Sequence, residues 1–213
     1  MINYRYYFYL APYVDVIQAH KKLFSLREYE KFKHTFRAAM YTTCIHQLIT
    51  HFDLLPNDFT IKKVAFDNGK EASRLEFLEN AKYKYAIKLN AALFVDVNID
   101  VFIFILARIL SRVKIYSESV LLENSSSEET WKDDVAVEIF LICRGFGNVY
   151  SRVFSLLLHK PGVLRGYKIG ILKEHEQIFL TNIFTDPDMC KKFLRKSRPS
   201  LFRRIVLCEK YRS

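Results

Sequence analysis

What these 213 residues lack narrows the field before what they contain. No Cys-x-x-Cys pair occurs, because Cys44, Cys143, Cys190 and Cys208 are scattered, and the paired-thiol spacing of zinc and redox sites is therefore missing. Cys44 and Cys143 fall inside apolar helical patterns, where a reduced thiol behaves as a small hydrophobe, so a reducing, cytoplasmic compartment is expected. No apolar run approaches the roughly twenty residues that a membrane span needs. The best, Val101 to Ala107, has Asp96 and Asp100 on one side and Arg108 and Arg112 on the other, which marks a buried helix segment. Residues Met1 to Leu10 carry one early positive charge and a short aromatic run, but no small-residue cleavage site follows cleanly, and they read as mature protein. There is no internal repeat, no phosphate-cradling loop and no Ser-His-Asp arrangement. Without an intact catalytic motif, a non-enzymatic role is expected.

Half of the residues are apolar, and eighteen Phe and thirteen Tyr supply ample material for a packed core. One domain over 1–213 is expected, with a helical part at 1–56, a sheet plus helical core at 57–188 and a basic tail at 189–213. The formal charge of +10 is unevenly spread. Beyond Met189 stand Lys191, Lys192, Arg195, Lys196, Arg198, Arg203, Arg204, Lys210 and Arg212 against the single Glu209, whereas Glu118 to Glu138 carries seven carboxylates opposed only by Lys132.

Local patterning predicts a fold of the α+β class, mostly helical with a small antiparallel sheet. Pro12 ends the aromatic opening, and a helix follows from Tyr13 to Phe24. Ser25 is a good N-cap for one longer helix whose apolar residues run Tyr29, Phe32, Phe36, Ala39, Met40, Cys44, Ile45, Leu48 and Ile49, up to Pro56. Phe59 to Phe66 reads as a strand, Asp67-Asn68-Gly69 as a turn, and Tyr83, Tyr85, Ile87 and Leu89 alternate with Lys82, Lys84 and Lys88 in a strand with one wet face. Asn98 or Asp100 caps a buried helix from Val101 to Lys114. A polar loop at Leu121 to Thr130 precedes a helix from about Glu129 to His159, in which Gly145 and Gly147 imply a kink or a close packing contact. Short helices at Lys173 to Phe184 and Pro187 to Arg195 complete the pattern.

The order strand, Asn-rich turn, apolar helix, acidic loop and second helix with Gly-Phe-Gly resembles the zincin-like metallopeptidases over roughly residues 83–180. In that family the first helix carries H-E-x-x-H and the second supplies an acidic ligand. Leu106-Ala107-Arg108-Ile109-Leu110-Ser111-Arg112 stands where the histidine motif would be, and Glu138 where the acidic ligand would be. Zinc chemistry needs two imidazoles one turn apart and a glutamate between them to take a proton from bound water. A guanidinium offers a metal no lone pair, and isoleucine exchanges no proton. The resemblance therefore implies a degenerate core with no metal and no cofactor, a pseudo-enzyme that binds or scaffolds another protein.

Charge suggests how such a core would close: two arginines and a carboxylate carry the same net charge as two neutral histidines, a carboxylate and Zn²⁺. Arg108 and Arg112 would then fork onto Glu138 as a brace, and the alternative is that both arginines mark the wet edge of their helix. His46 and His51, five residues apart, lie on different helix faces and read as core or surface residues, as does His175 between two glutamates. The rival functional reading is nucleic-acid binding through Lys191, Lys192, Arg195, Lys196, Arg198, Arg203 and Arg204, interleaved with Phe193 and Phe202. Its alternative is a solvated tail.

Overall fold

The computed structural model describes residues 24–38, 40–66, 71–78, 82–94, 98–118 and 137–159. The expected helices at Tyr13–Phe24 (all but Phe24 itself, which is described and not helical), Lys173–Phe184 and Pro187–Arg195, the Asp67-Asn68-Gly69 turn and the 121–130 loop lie outside them. The chain falls into two compact units. One contains Phe24–Lys114 and the stretch from Asn148, and the other contains Ile115–Gly147.

The α+β class holds: helices predominate and one small sheet accompanies them. Helix α1 spans Leu26–Arg37, and Ser25 caps it in a reciprocal box. The Ser25 hydroxyl accepts from the Glu28 N–H at 3.3 Å, and the Glu28 carboxylate accepts from the Ser25 N–H at 2.8 Å. The single long helix expected after Ser25 is in fact two, because α1 stops at Arg37 and α2 spans Tyr41–His51. Three neighbours in sequence, Tyr41, Thr42 and Thr43, favour the break, since aromatic and β-branched residues lose rotamer freedom in a continuous helix. Tertiary packing rewards it. The Tyr41 ring meets Phe36 edge-on at 5.2 Å and Phe94 at 5.2 Å, while Phe102 lies 5.1 Å from Phe36. Helix α2 ends in a Schellman motif, with Leu54 N–H donating to the Ile49 carbonyl and Asp53 N–H to that of Thr50. Asp53 takes the left-handed position (φ 55°) usually given to glycine.

Strand β1 (Phe59–Val64), β2 (Ser73–Phe77) and β3 (Tyr85–Asn90) form a sheet in the order β1-β3-β2. The expectation of an antiparallel sheet needs correction: β3 pairs antiparallel with β2 but parallel with β1. Turn residues after β1 suggest a β1–β2 hairpin, and β2 does run opposite to β1, but β3 lies between them. Burial explains the choice. Ala86, Ile87 and Leu89 of β3 are buried, whereas β1 carries exposed Lys62 and Lys63 and β2 exposed Arg74. The most apolar strand takes the position covered on both edges. Register then sorts the faces. Phe59, Tyr85 and Phe77 align in one row and Ile61, Ile87 and Leu75 in the next, while Lys62, Lys88 and Arg74 align on the opposite face.

Helix α3 spans Ile99–Glu118, and from Asp100 to Ile115 only Arg108 and Arg112 escape full burial. Such a helix is a core element rather than an amphipathic cover. Residues 137–141 are helical, Ile142–Phe146 form a wide turn of π geometry, and α4 spans Gly147–His159. Gly145 sits at φ 92°, a conformation that costs any residue with a Cβ, so the kink expected at the paired glycines is present at the first of them. Tyr150 of α4 stacks on Phe104 of α3 with ring centroids 4.8 Å apart. Among the described residues no helix is long and apolar enough to cross a membrane.

Candidate functional site

Helix α3 starts where its cap dictates. The Asn98 side-chain oxygen accepts from the Asp100 N–H at 2.8 Å, and the Asn98 carbonyl accepts from the Phe102 N–H. Of the two expected caps, Asn98 fills the role. Positions 108 and 112, one turn apart, share a helix face. Both arginines are half-buried, and Ile109 is buried beside them. Glu138 is fully buried, but in the other compact unit, and none of the three lacks a partner. Lys191, Lys192, Arg195, Lys196, Arg198, Arg203 and Arg204 lie outside the described residues.

Sequence reasoning missed a different polar cluster. Arg152 of α4 donates from Nε and a terminal nitrogen to both oxygens of Asp100, at 3.0 and 2.9 Å. This is the bidentate fork that makes arginine–carboxylate pairs strong. The guanidinium also lies over the Tyr29 ring of α1, 4.8 Å from its centroid. Three helices therefore meet on one carboxylate at the start of α3, where the helix dipole also favours negative charge. The fork holds the Arg152 guanidinium above its ordinary range against the opposing effect of burial. Burial, and then the nearby Asp100 carboxylate, push the Tyr29 hydroxyl upward. In the sequence, Asp100 reads as a helix cap, and nothing in the spacing links it to a residue fifty-two positions away.

A second cluster joins α1 to α2. Buried His51 places Nδ1 3.3 Å from the Glu28 carboxylate, with the Phe24 ring edge-on at 5.3 Å. Burial alone would raise the Glu28 carboxyl, yet the Ser25 N–H, His51 and the Ser25 hydroxyl together hold it below the ordinary carboxylate range. The order serine, carboxylate, imidazole is wrong for nucleophilic catalysis, because the hydroxyl meets the acid and not the base. His51 is a core histidine and His46 an exposed one, while His175 lies outside the described residues. Burial pushes the Cys44 thiol up to about 11, so it is protonated and unreactive at neutral pH. Among the described residues no three His, Cys, Asp or Glu side chains gather as a metal set.

Comparison with protein-family models, with curated proteins and with solved structures finds no match to this chain.

Proposed function

We propose that this chain is a non-catalytic relative of the zincin-like metallopeptidases, working as a binding or scaffold subunit of a cytoplasmic assembly. The observation that carries the reading is the content of one helical turn: Arg108, Ile109 and Arg112 in place of two imidazoles and a glutamate, on a helix buried at nearly every other position. Guanidinium groups stay protonated at any useful pH and cannot coordinate Zn²⁺, and a buried isoleucine cannot take a proton from water. The two described cysteines, Cys44 and Cys143, are buried and not joined in a disulfide, which suits a reducing compartment. Elemental analysis of the purified chain, with a peptide-hydrolysis assay run with and without added zinc, tests the proposal. Neither metal nor hydrolysis is expected, and stoichiometric zinc with zinc-dependent cleavage would overturn it.

A second reading, an accessory protein that binds nucleic acid, is favoured by the nine Lys and Arg set against one Glu between Met189 and Ser213. It requires affinity that falls steeply as salt rises, and falls again when Arg203 and Arg204 are neutralised.

A further inference from the structure

The sheet has an unpaired rim along β1. Strand β3 is flanked on both sides, whereas β1 meets β3 alone, and among the described residues none from Phe59 to Val64 makes a hydrogen bond outside that ladder. Strand β2 forms the other rim, but its Phe77 takes part in a further interaction, so the two rims are not equivalent. Two bonds at the ends of the β2–β3 ladder fix which backbone groups of β1 point outward. Leu78 N–H donates to the Lys84 carbonyl and Asn90 N–H to that of Ala72, so Ala86, Lys88 and Asn90 turn their backbone groups to β2. Alternation leaves Tyr85, Ile87 and Leu89 to bond β1. In a parallel ladder each of these bonds the residues on either side of its partner, and the partners are Phe59, Ile61 and Lys63. Thr60, Lys62 and Val64 therefore face β3, and the N–H and carbonyl groups of Phe59, Ile61 and Lys63 face away from it.

Side chains select what this rim can take. On the core side Phe59 is buried and Ile61 half-buried, while on the opposite side exposed Lys62 heads the row Lys62, Lys88 and Arg74. Inside the sheet the row has carboxylates of its own, since Lys88 pairs with Glu76 and Arg74 with Glu71. A strand added to β1 sets one residue directly across from Lys62. Cross-strand neighbours of opposite charge stabilise a pairing, and like charges oppose it. A carboxylate is the side chain that fits there, with apolar residues at the alternate positions to continue the face of Ile61. A second copy of β1 is the poorer occupant, because Lys62 and Lys63 of both copies would crowd into a pairing six residues long.

We propose that the outer edge of β1 takes up an extended segment of a partner protein as an added strand, bonded through the backbones of Phe59, Ile61 and Lys63, with a carboxylate set across from Lys62. The inference rests on the scaffold reading above and names the surface by which such a subunit holds its partner.

Amide hydrogen exchange of the isotope-labelled full chain, followed by NMR with a short capped peptide of alternating valine and glutamate, tests it. With the peptide at about ten times its Kd, exchange at the Phe59, Ile61 and Lys63 amides should slow about tenfold, because only the free fraction exchanges. The same peptide methylated at alternate backbone nitrogens should protect none of the three. Lys62→Glu should switch the preference to an alternating valine–lysine peptide, by about threefold each way. Lys63→Pro removes an outward N–H where an edge strand tolerates proline, and should abolish binding with thermal unfolding unchanged. If that variant does not fold, the Lys62→Glu switch still decides. Unchanged exchange at the three amides of the parent overturns the proposal, as does equal binding of the methylated peptide or a Lys62→Glu chain that still prefers glutamate. Protection that needs no peptide and grows with protein concentration overturns it in favour of a second copy. The zinc and hydrolysis assays judge the scaffold reading separately. A chain that holds no zinc, cleaves nothing and protects no amide keeps that reading and loses this surface, and zinc-dependent cleavage with the three amides protected does the reverse.

Discussion

The same chemistry, a carboxylate against a cation, serves two regions of this molecule to different ends. At the helix junction Asp100 is nearly withdrawn from water while Arg152 keeps 46 % of its side chain exposed, and the carboxylate takes both arms of the guanidinium where three helices converge. On the sheet, Glu76 and Lys88 are both partly exposed and meet diagonally across two paired strands. Coulomb attraction between surface charges is screened by water and offset by side-chain ordering. Withdrawal from water strengthens attraction and raises the cost of losing a partner. A single tie at the helix junction is therefore expected to outweigh the pair on the sheet, although a count of ion pairs would rank them equally.

The largest expected effect comes from Asp100→Ala, which removes two charge-assisted hydrogen bonds and should lower unfolding free energy by about 2 kcal/mol. A double-mutant cycle with Arg152→Met measures the coupling itself. Coupling indistinguishable from zero would erase the contrast between the two regions. Next is Glu28→Gln, which weakens the cap of α1 and should cost about 1 kcal/mol at neutral pH by chemical denaturation. Because the folded state holds the Glu28 carboxyl below its ordinary value of 4.5, its stabilisation is present above that value and is lost as pH falls through the lower, folded-state one. The difference between parent and Glu28→Gln should accordingly shrink on the acid side, and a gap that widens there would contradict the assignment. The smallest effect is expected for Glu76→Gln on the sheet, about 0.5 kcal/mol at low salt and less at high salt.

Helices and strands were largely legible wherever one short-range rule decided them. The Ser25 cap, the cap at Asn98 or Asp100 and the alternation from Tyr83 to Leu89 each specify an element from within a few residues, and each element appears in the structure. Legibility failed where a distant partner decided. The break before Tyr41 depends on Phe94 and Phe102, both distant in sequence, and strand β2 hides in Arg74-Leu75-Glu76-Phe77, a run too short to stand out. Parallel pairing of β1 with β3 follows from which strand is most apolar, a comparison among three segments that no local turn signal contains. At the candidate site the turn Arg108–Arg112 is legible as a unit because its members are neighbours on one helix. The tie that gathers α1, α3 and α4 was invisible because Tyr29, Asp100 and Arg152 share no motif.

The strand order also bears on how the protein behaves in a crowded solution. An edge strand offers unpaired backbone groups to any other extended chain, and flat apolar edges invite runaway pairing. Here the stickiest strand, Tyr85–Asn90, is walled in on both sides, and the strands left at the rim carry Lys62 and Lys63 on one side and Arg74 and Glu76 on the other. A sheet shuffled to put β3 outermost would keep the same residues and the same turns, yet would present a template for fibre growth.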